Sequence, residues 1–208
     1  MTYDNSRLRR LALISLVLQS AGRIIGRTKL QKIVYLANSI GWKAVDFKYH
    51  NYGPFSDSLA AELDNMKNYG WIEEREIPTS HDRVLHEYYF SNKYKQTGLS
   101  QLSKVEDTVP NGKQLISRTK GLVKQLNKFS SDDLQIMSTM VFLRAQDPSM
   151  SEEQAVDMTR KLKPKFSKEE ISKGRRIFAI MKDFLDNQRK QPAMAMKHSR
   201  NPSLAVAE

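Results

Sequence analysis

The residues able to do chemistry are few, and their spacing argues against most reactions. The chain has 208 residues and no cysteine, which removes thiolate catalysis, disulfides and Cys-ligated zinc. Its four histidines, His50, His81, His86 and His198, fall in no His-Glu-x-x-His or His-x-His arrangement, so they read as ordinary strand, turn and tail residues. Gly22-Arg23-Ile24-Ile25-Gly26-Arg27-Thr28-Lys29 has the glycines and lysine of a phosphate loop but not its spacing. A Walker loop needs four residues between the glycines and a Lys-Ser/Thr pair after the second. The stretch therefore reads as a connection between helices. Glu73, Glu74 and Glu76 cluster, but on a strand Glu73 points away from the other two, and a solvated hairpin face explains them. No Gly-x-Ser-x-Gly nucleophile elbow is present. No catalytic residue, metal ligand or cofactor site is assigned, and the chain is not expected to be an enzyme.

Binding residues are easier to find. Tyr52-Gly53-Pro54-Phe55-Ser56 sets two aromatics around a Gly-Pro breaker and ends on a helix-capping serine. Upstream, Lys29, Gln31, Lys32, Tyr35 and Asn38 lie opposite the apolar positions Leu30, Ile33, Val34 and Ala37 of one helix. Read as an exposed face, Lys29, Gln31, Lys32 and Tyr35 join Tyr52, Gly53, Pro54 and Phe55 in a basic-aromatic patch suited to a partner protein.

The net charge of +11 raises nucleic acid as a second kind of partner. Its distribution is uneven: +6 over residues 1–41, −4 over 42–92 and +9 over 93–208. Nucleic-acid contacts would fall on the basic flanks, at Arg23, Arg27, Lys113, Arg118, Lys120 and Lys124.

The elements that must position these residues follow from periodicity and capping. Residues 5–21 are apolar on most sides and predict a buried first helix. The run 11–18 behind Arg7, Arg9 and Arg10 is too short for a membrane span and lacks a good cleavage site, which favours a cytoplasmic protein over a secreted one and implies no membrane partner. Thr28 is placed to cap the second helix, which stops near Gly41. Residues 47–52 alternate as a short strand, Gly53-Pro54 ends it, and Ser56 caps a third helix carrying Leu59, Leu63, Met66 and Gly70 on one side. Two strands, 71–77 and 84–90, flank a turn at 78–83.

Helix, helix, strand, helix and hairpin is the order of a winged helix. Beyond Gly98 the pattern is helical: a basic helix over 112–128, one over 132–144 capped by Ser130 or Ser131, and two more opened by the boxes Ser151-Glu152-Glu153-Gln154 and Ser167-Lys168-Glu169-Glu170. The fold class expected is α+β, mostly α, with a winged-helix N-terminal half, a β-hairpin wing and an all-helical C-terminal half. Domain limits fall at 1–98, 99–187 packed on it, and a disordered tail over 188–208.

Two of these stretches carry a resemblance. The helix Gly26-Arg27-Thr28-Lys29-Leu30-Gln31-Lys32-Ile33-Val34-Tyr35-Leu36-Ala37, followed by the Tyr52-Gly53-Pro54 turn, resembles the bacterial and archaeal YwgA-like proteins and, more distantly, the Panacea domain of SocA-like antitoxins. Residues 162–171, Leu-Lys-Pro-Lys-Phe-Ser-Lys-Glu-Glu-Ile, are similar to a late stretch of the YwgA-like group. The YwgA-like resemblance implies no activity. The Panacea resemblance implies an antitoxin that neutralises a toxin protein. The chain departs from the Panacea pattern at His50-Asn51, where a tryptophan often precedes the turn, and at Phe55-Ser56, where an aliphatic residue often follows.

Charge separates the two functions. A DNA-reading third helix over 56–69 would carry Asp57, Glu62 and Asp64 against Lys67, and its wing Glu73, Glu74 and Glu76 against Arg75. Acids there repel phosphates. The sequence thus favours a protein-binding winged helix, antitoxin-like or defence-associated, with a toxin or defence component as partner. A DNA-binding transcriptional regulator is the alternative.

Overall fold

A computed structural model describes residues 5–78 and 84–189. The chain runs α1 (Asn5–Ala21), β1 (Ile24–Ile25), α2 (Arg27–Ala37), β2 (Lys48–His50), β3 (Gly53–Phe55), α3 (Asp57–Asn68), β4 (Ile72–Pro78) and β5 (Val84–Phe90). Five helices follow: α4 (Lys95–Thr108), α5 (Gly112–Leu126), α6 (Ser131–Gln146), α7 (Glu152–Leu162) and α8 (Lys168–Arg189). The fold is mostly helical, winged-helix-like in its first half and all-helical in its second.

The winged-helix part is built on an antiparallel sheet in the order β1-β5-β4, with Ile24 opposite Tyr88 and Ile72 opposite Phe90. The hairpin of β4 and β5 is where sequence alternation places it, and its turn at 79–83 lies outside the described residues, as does the tail beyond 189. β1, two residues long, is too short to leave a periodic signal. It lies inside the glycine stretch that resembled a phosphate loop.

Three local expectations need correction. Gly26, not Thr28, is the N-cap of α2, and its φ of +95° is a backbone state other residues avoid. Gly53-Pro54 does not end a strand. The chain reverses at Asn51-Tyr52, and Gly53-Phe55 is the returning strand β3, with His50 opposite Gly53 and Lys48 opposite Phe55. The second helix ends at Ala37 and passes into a π-helical turn, Asn38–Trp42, so the link between the two helices of the helix-turn-helix spans residues 38–56 and contains a whole hairpin. Asn38 closes this link, accepting from the backbone N–H groups of Ala44 and Val45 and donating to the Val45 carbonyl.

Ser56 caps α3 as expected, accepting from the Leu59 N–H at 3.2 Å. Ser130, Ser151 and Ser167 open α6, α7 and α8 with reciprocal bonds to Asp133, Gln154 and Glu170. The hydrophobic core is continuous from Ala12 on α1 to Met181 on α8. Gly98, the sequence boundary between the halves, lies inside α4. At the centre stands α6, buried at every position over 133–141 and therefore in contact on all sides. α8 approaches it so closely that a Cβ on Gly174 would sit 2.3 Å from Ile136 Cγ2.

Candidate functional site

Helix α2 holds half of the expected partner-binding residues, and it is buried at every position over 30–37. Its Lys-Leu-Gln-Lys face is not exposed, which corrects the expected exposed face. Gln31 and Lys32 are 1% exposed and Tyr35 6%. The reason is the hairpin β2–β3, which folds over that face, with α6 behind it. Lys29, Gln31 and Lys32 of α2 each find a backbone group outside the helix, as burial of polar side chains requires. Gln31 donates to the Ser56 carbonyl at 3.1 Å and accepts from the Ser56 N–H at 3.3 Å. Lys32 Nζ donates to the Pro54 carbonyl at 2.7 Å, and half-buried Lys29 donates to the Asn127 carbonyl at 2.7 Å. Tyr35 packs edge-on against Phe47, ring centres 5.0 Å apart, and burial drives its hydroxyl far above the usual tyrosine range.

The hairpin is held from its other side by a residue no local pattern marks. Lys163, at the C-cap of α7, is 2% exposed and donates to the Asn51 carbonyl at 2.6 Å, its ammonium 5.3 Å from the centre of the Tyr49 ring. Lys32 and Lys163 thus grip the two ends of the segment Asn51-Tyr52-Gly53-Pro54. Burial lowers Lys32 to about 8, helped by the charge of Lys163. Burial also lowers Lys163 to about 8, helped by Lys165.

Gly53 and Pro54 are buried in this grip. Gly53 has φ +90°, and a Cβ there would meet Thr139 Oγ1 on α6 at 3.1 Å. Of the expected patch, Tyr52, 55% exposed, and half-buried Phe55 present apolar surface outward. Lys165 lies 5.6 Å from the centre of the Tyr52 ring, and the His50 ring packs at a tilt against Phe55, centres 5.6 Å apart. Beneath them is a cavity of about 180 Å³ lined by Arg27, Thr28, Gln31, Lys32, His50, Tyr52 and Phe55. The structure therefore brings Gln31, Lys32, Tyr52 and Phe55 of the expected patch around one pocket. Lys29 and Tyr35 lie elsewhere on α2.

The residues of the nucleic-acid alternative do not converge in one place. Arg23 is exposed and pairs with Glu87 at 3.3 Å. Arg27 reaches both carboxylate oxygens of Asp64 at 2.9 Å. Lys113, Lys120 and Lys124 are exposed along one side of α5, and Arg118 is half-buried there.

The acids of the third helix also need correction. Glu62 does not face outward: it is 5% exposed and pairs with Arg7 at 3.3 Å and Arg10 at 3.4 Å. Asp57 and Asp64 are exposed. On the wing, Glu74 bonds Lys67 and the Tyr88 hydroxyl, which together hold its carboxyl below the usual range, Lys67 most strongly.

Among the described residues, no group of three or more His, Cys, Asp or Glu is placed to hold a metal ion. No helix among them is long and apolar enough to cross a membrane. His50 lines the pocket and His86 lies 2.8 Å from Glu74, whereas His81 and His198 fall outside the described residues.

No family model matches the chain, so the Panacea resemblance of the Tyr-Gly-Pro turn gains no support. The chain is similar to the uncharacterized protein YwgA of Bacillus subtilis (strain 168), 27% identical over 161 residues. The alignment covers 76% of this chain and 87% of that protein.

Proposed function

We propose that the chain is a non-enzymatic, protein-binding winged-helix-like module that acts by capturing a partner protein at the tip of the β2–β3 hairpin. The observation that carries this reading is the outward Tyr52, with Phe55 beside it, at a pocket whose lining includes the buried Lys32. An aromatic anchor next to a desolvated polar group is the composition of an interface hot spot. The site sits in the segment that replaces the short turn of a helix-turn-helix, so it is an addition to the fold and not part of the DNA-reading surface.

An antitoxin-like or defence-associated role, with a toxin or defence component as partner, extends this reading. It rests on the sequence resemblance of the helix over 26–37 paired with the Tyr52-Gly53-Pro54 turn. The division into a winged-helix unit of 1–98 and a helical unit of 99–187 is likewise a proposal, and the continuous core argues that the two act as one body.

One observation favours the alternative of DNA binding: the row Lys113, Lys120 and Lys124 lies exposed on α5. Against it stand Asp57 and Asp64 on the outer face of α3, where phosphates would pass in the usual docking. The test is a mobility shift on random and promoter duplexes titrated with salt, run beside a pull-down with wild type and Tyr52→Ala. Weak, sequence-indifferent DNA binding that fades between about 50 and 200 mM salt, with protein capture lost in Tyr52→Ala, supports the proposal. Sequence-specific DNA binding at physiological salt with no captured protein overturns it.

A further inference from the structure

Among the described residues, the buried acids are paired with basic side chains and two buried lysines are not. Glu62 has Arg7 and Arg10, Asp133 has Lys173, and Glu87 has Arg23. Lys32 and Lys163 are as deeply buried as any of these, yet among the described residues neither has a carboxylate partner: each donates to a backbone carbonyl, and Lys163 also lies over the Tyr49 ring. A buried ammonium normally requires a counter-charge as well as hydrogen bonds.

An ammonium has three donors, and Pro54 takes one of those on Lys32. Beside Lys32 is the 180 Å³ pocket, lined also by Arg27, Thr28, His50 and Tyr52 and by no acidic residue, with the Arg27 guanidinium already held by Asp64. It is smaller than the roughly 300 Å³ at which sites for drug-sized ligands begin. It matches one charged group with its short aliphatic stem.

Resting on the protein-binding reading above, we propose that this pocket receives the carboxylate of an aspartate or glutamate side chain from the partner protein, which supplies the counter-ion Lys32 lacks. Tyr52 and Phe55 cover the stem of that side chain, and Thr28 and His50 flank its head, while Arg27 stays paired with Asp64. A nucleic-acid strand is a poorer occupant, because α3 begins two residues after Phe55 and carries Asp57 and Asp64 on its surface. A polyanion reaching the pocket would run past both, whereas a single side chain need not. Burial, helped by the charge of Lys163, lowers the affinity of Lys32 for its proton, as holds for an ammonium with no carboxylate beside it.

The experiment follows Lys32 by NMR in protein labelled with ¹³C-lysine, assigned through Lys32→Met. N-acetyl-glutamate N-methylamide is titrated in, with the glutamine analogue, inorganic phosphate and a random DNA duplex as separate arms. The proposal expects a saturable shift of the Lys32 signal with the glutamate compound and none with the glutamine compound. It also expects the apparent pKa of Lys32 to rise by about one unit or more on saturation. In protein labelled also on histidine and tyrosine, the glutamate compound should shift the His50 and Tyr52 rings, and those shifts should vanish in Lys32→Met. Should that variant fail to fold, Thr28→Val should weaken the glutamate effect by about threefold or more, as loss of one hydrogen bond to a charged group does.

If phosphate or DNA moves Lys32 at lower concentration than the glutamate compound, the carboxylate assignment falls, and a DNA win takes the protein-binding reading with it. If nothing moves Lys32, the counter-ion proposal alone fails. Partner capture that still depends on Tyr52 would leave the protein-binding reading in place.

Discussion

Replacing Lys32 by methionine keeps the aliphatic stem and removes the ammonium, and its effect should depend on pH in a way that identifies the buried charge. The ordinary lysine value is 10.5, and in the folded protein Lys32 and Lys163 each sit at about 8. Below pH 8 both folded and unfolded states hold the proton, so the penalty of the buried charge is present in full. Between 8 and 10.5 the folded state sheds protons that the unfolded state keeps. The unfolded state then binds more protons, so stability rises with pH.

A shift of this size corresponds to about 3 kcal/mol per lysine, of which about 2 is recovered between pH 7.5 and 9.5. Because Lys163 contributes to the shift of Lys32, the pair should gain somewhat less than twice that. The upper limit of 9.5 matters, since Tyr35 and Tyr88 titrate above their usual value and their contribution is lost as pH climbs past 10. The assay is urea unfolding followed by tryptophan fluorescence, with buried Trp42 as reporter. Wild type should gain about 3 kcal/mol over this range, and Lys32→Met should lose about half of the rise. At pH 7.5 the variant should differ little from wild type, because removal of the charge is offset by a Pro54 carbonyl left without its donor, at about 1–3 kcal/mol. A wild-type curve that is flat or falling, or a variant that climbs as steeply, would refute the buried-ammonium account.

Gly53→Val should cost about 1–3 kcal/mol, since φ is +90° and the new side chain meets Thr139; an unchanged thermal melt would show that the turn tolerates a side chain. Glu62→Gln should destabilise by about 1–2 kcal/mol, less than a fully buried pair because Arg7 is half in solvent, and urea unfolding checks it. Tyr52→Ala should leave stability within about 0.5 kcal/mol of wild type in the same unfolding assay while abolishing partner capture, because its ring is largely exposed.

Features decided within a few residues were legible in the sequence. The caps at Ser56, Ser151 and Ser167, the wing strands and the run of C-terminal helices all follow from local hydrogen bonding and periodicity. The α2 face was not, and the reason is physical. Hydrophobic periodicity separates apolar from polar positions, but a polar side chain that bonds a buried loop carbonyl looks the same as one that faces water. Gln31 and Lys32 serve the hairpin, which lies more than twenty residues away in the chain. Lys163 binds Asn51 across 112 residues, a contact no window contains. Glu62 was misplaced for the same reason, its partners being Arg7 and Arg10 on a distant helix. The aromatic pair Tyr52 and Phe55 stands out in the sequence because it belongs to a turn whose sequence is unusual in itself.

The most direct measurement of the central claim is photo-crosslinking in cells with p-benzoyl-phenylalanine placed at position 52, compared with the same group at position 120 on α5. The account predicts a discrete protein adduct from position 52, none of that size from position 120, and loss of the adduct when Lys32→Met is added. Adducts to DNA from position 120 with no protein adduct from position 52 would contradict it.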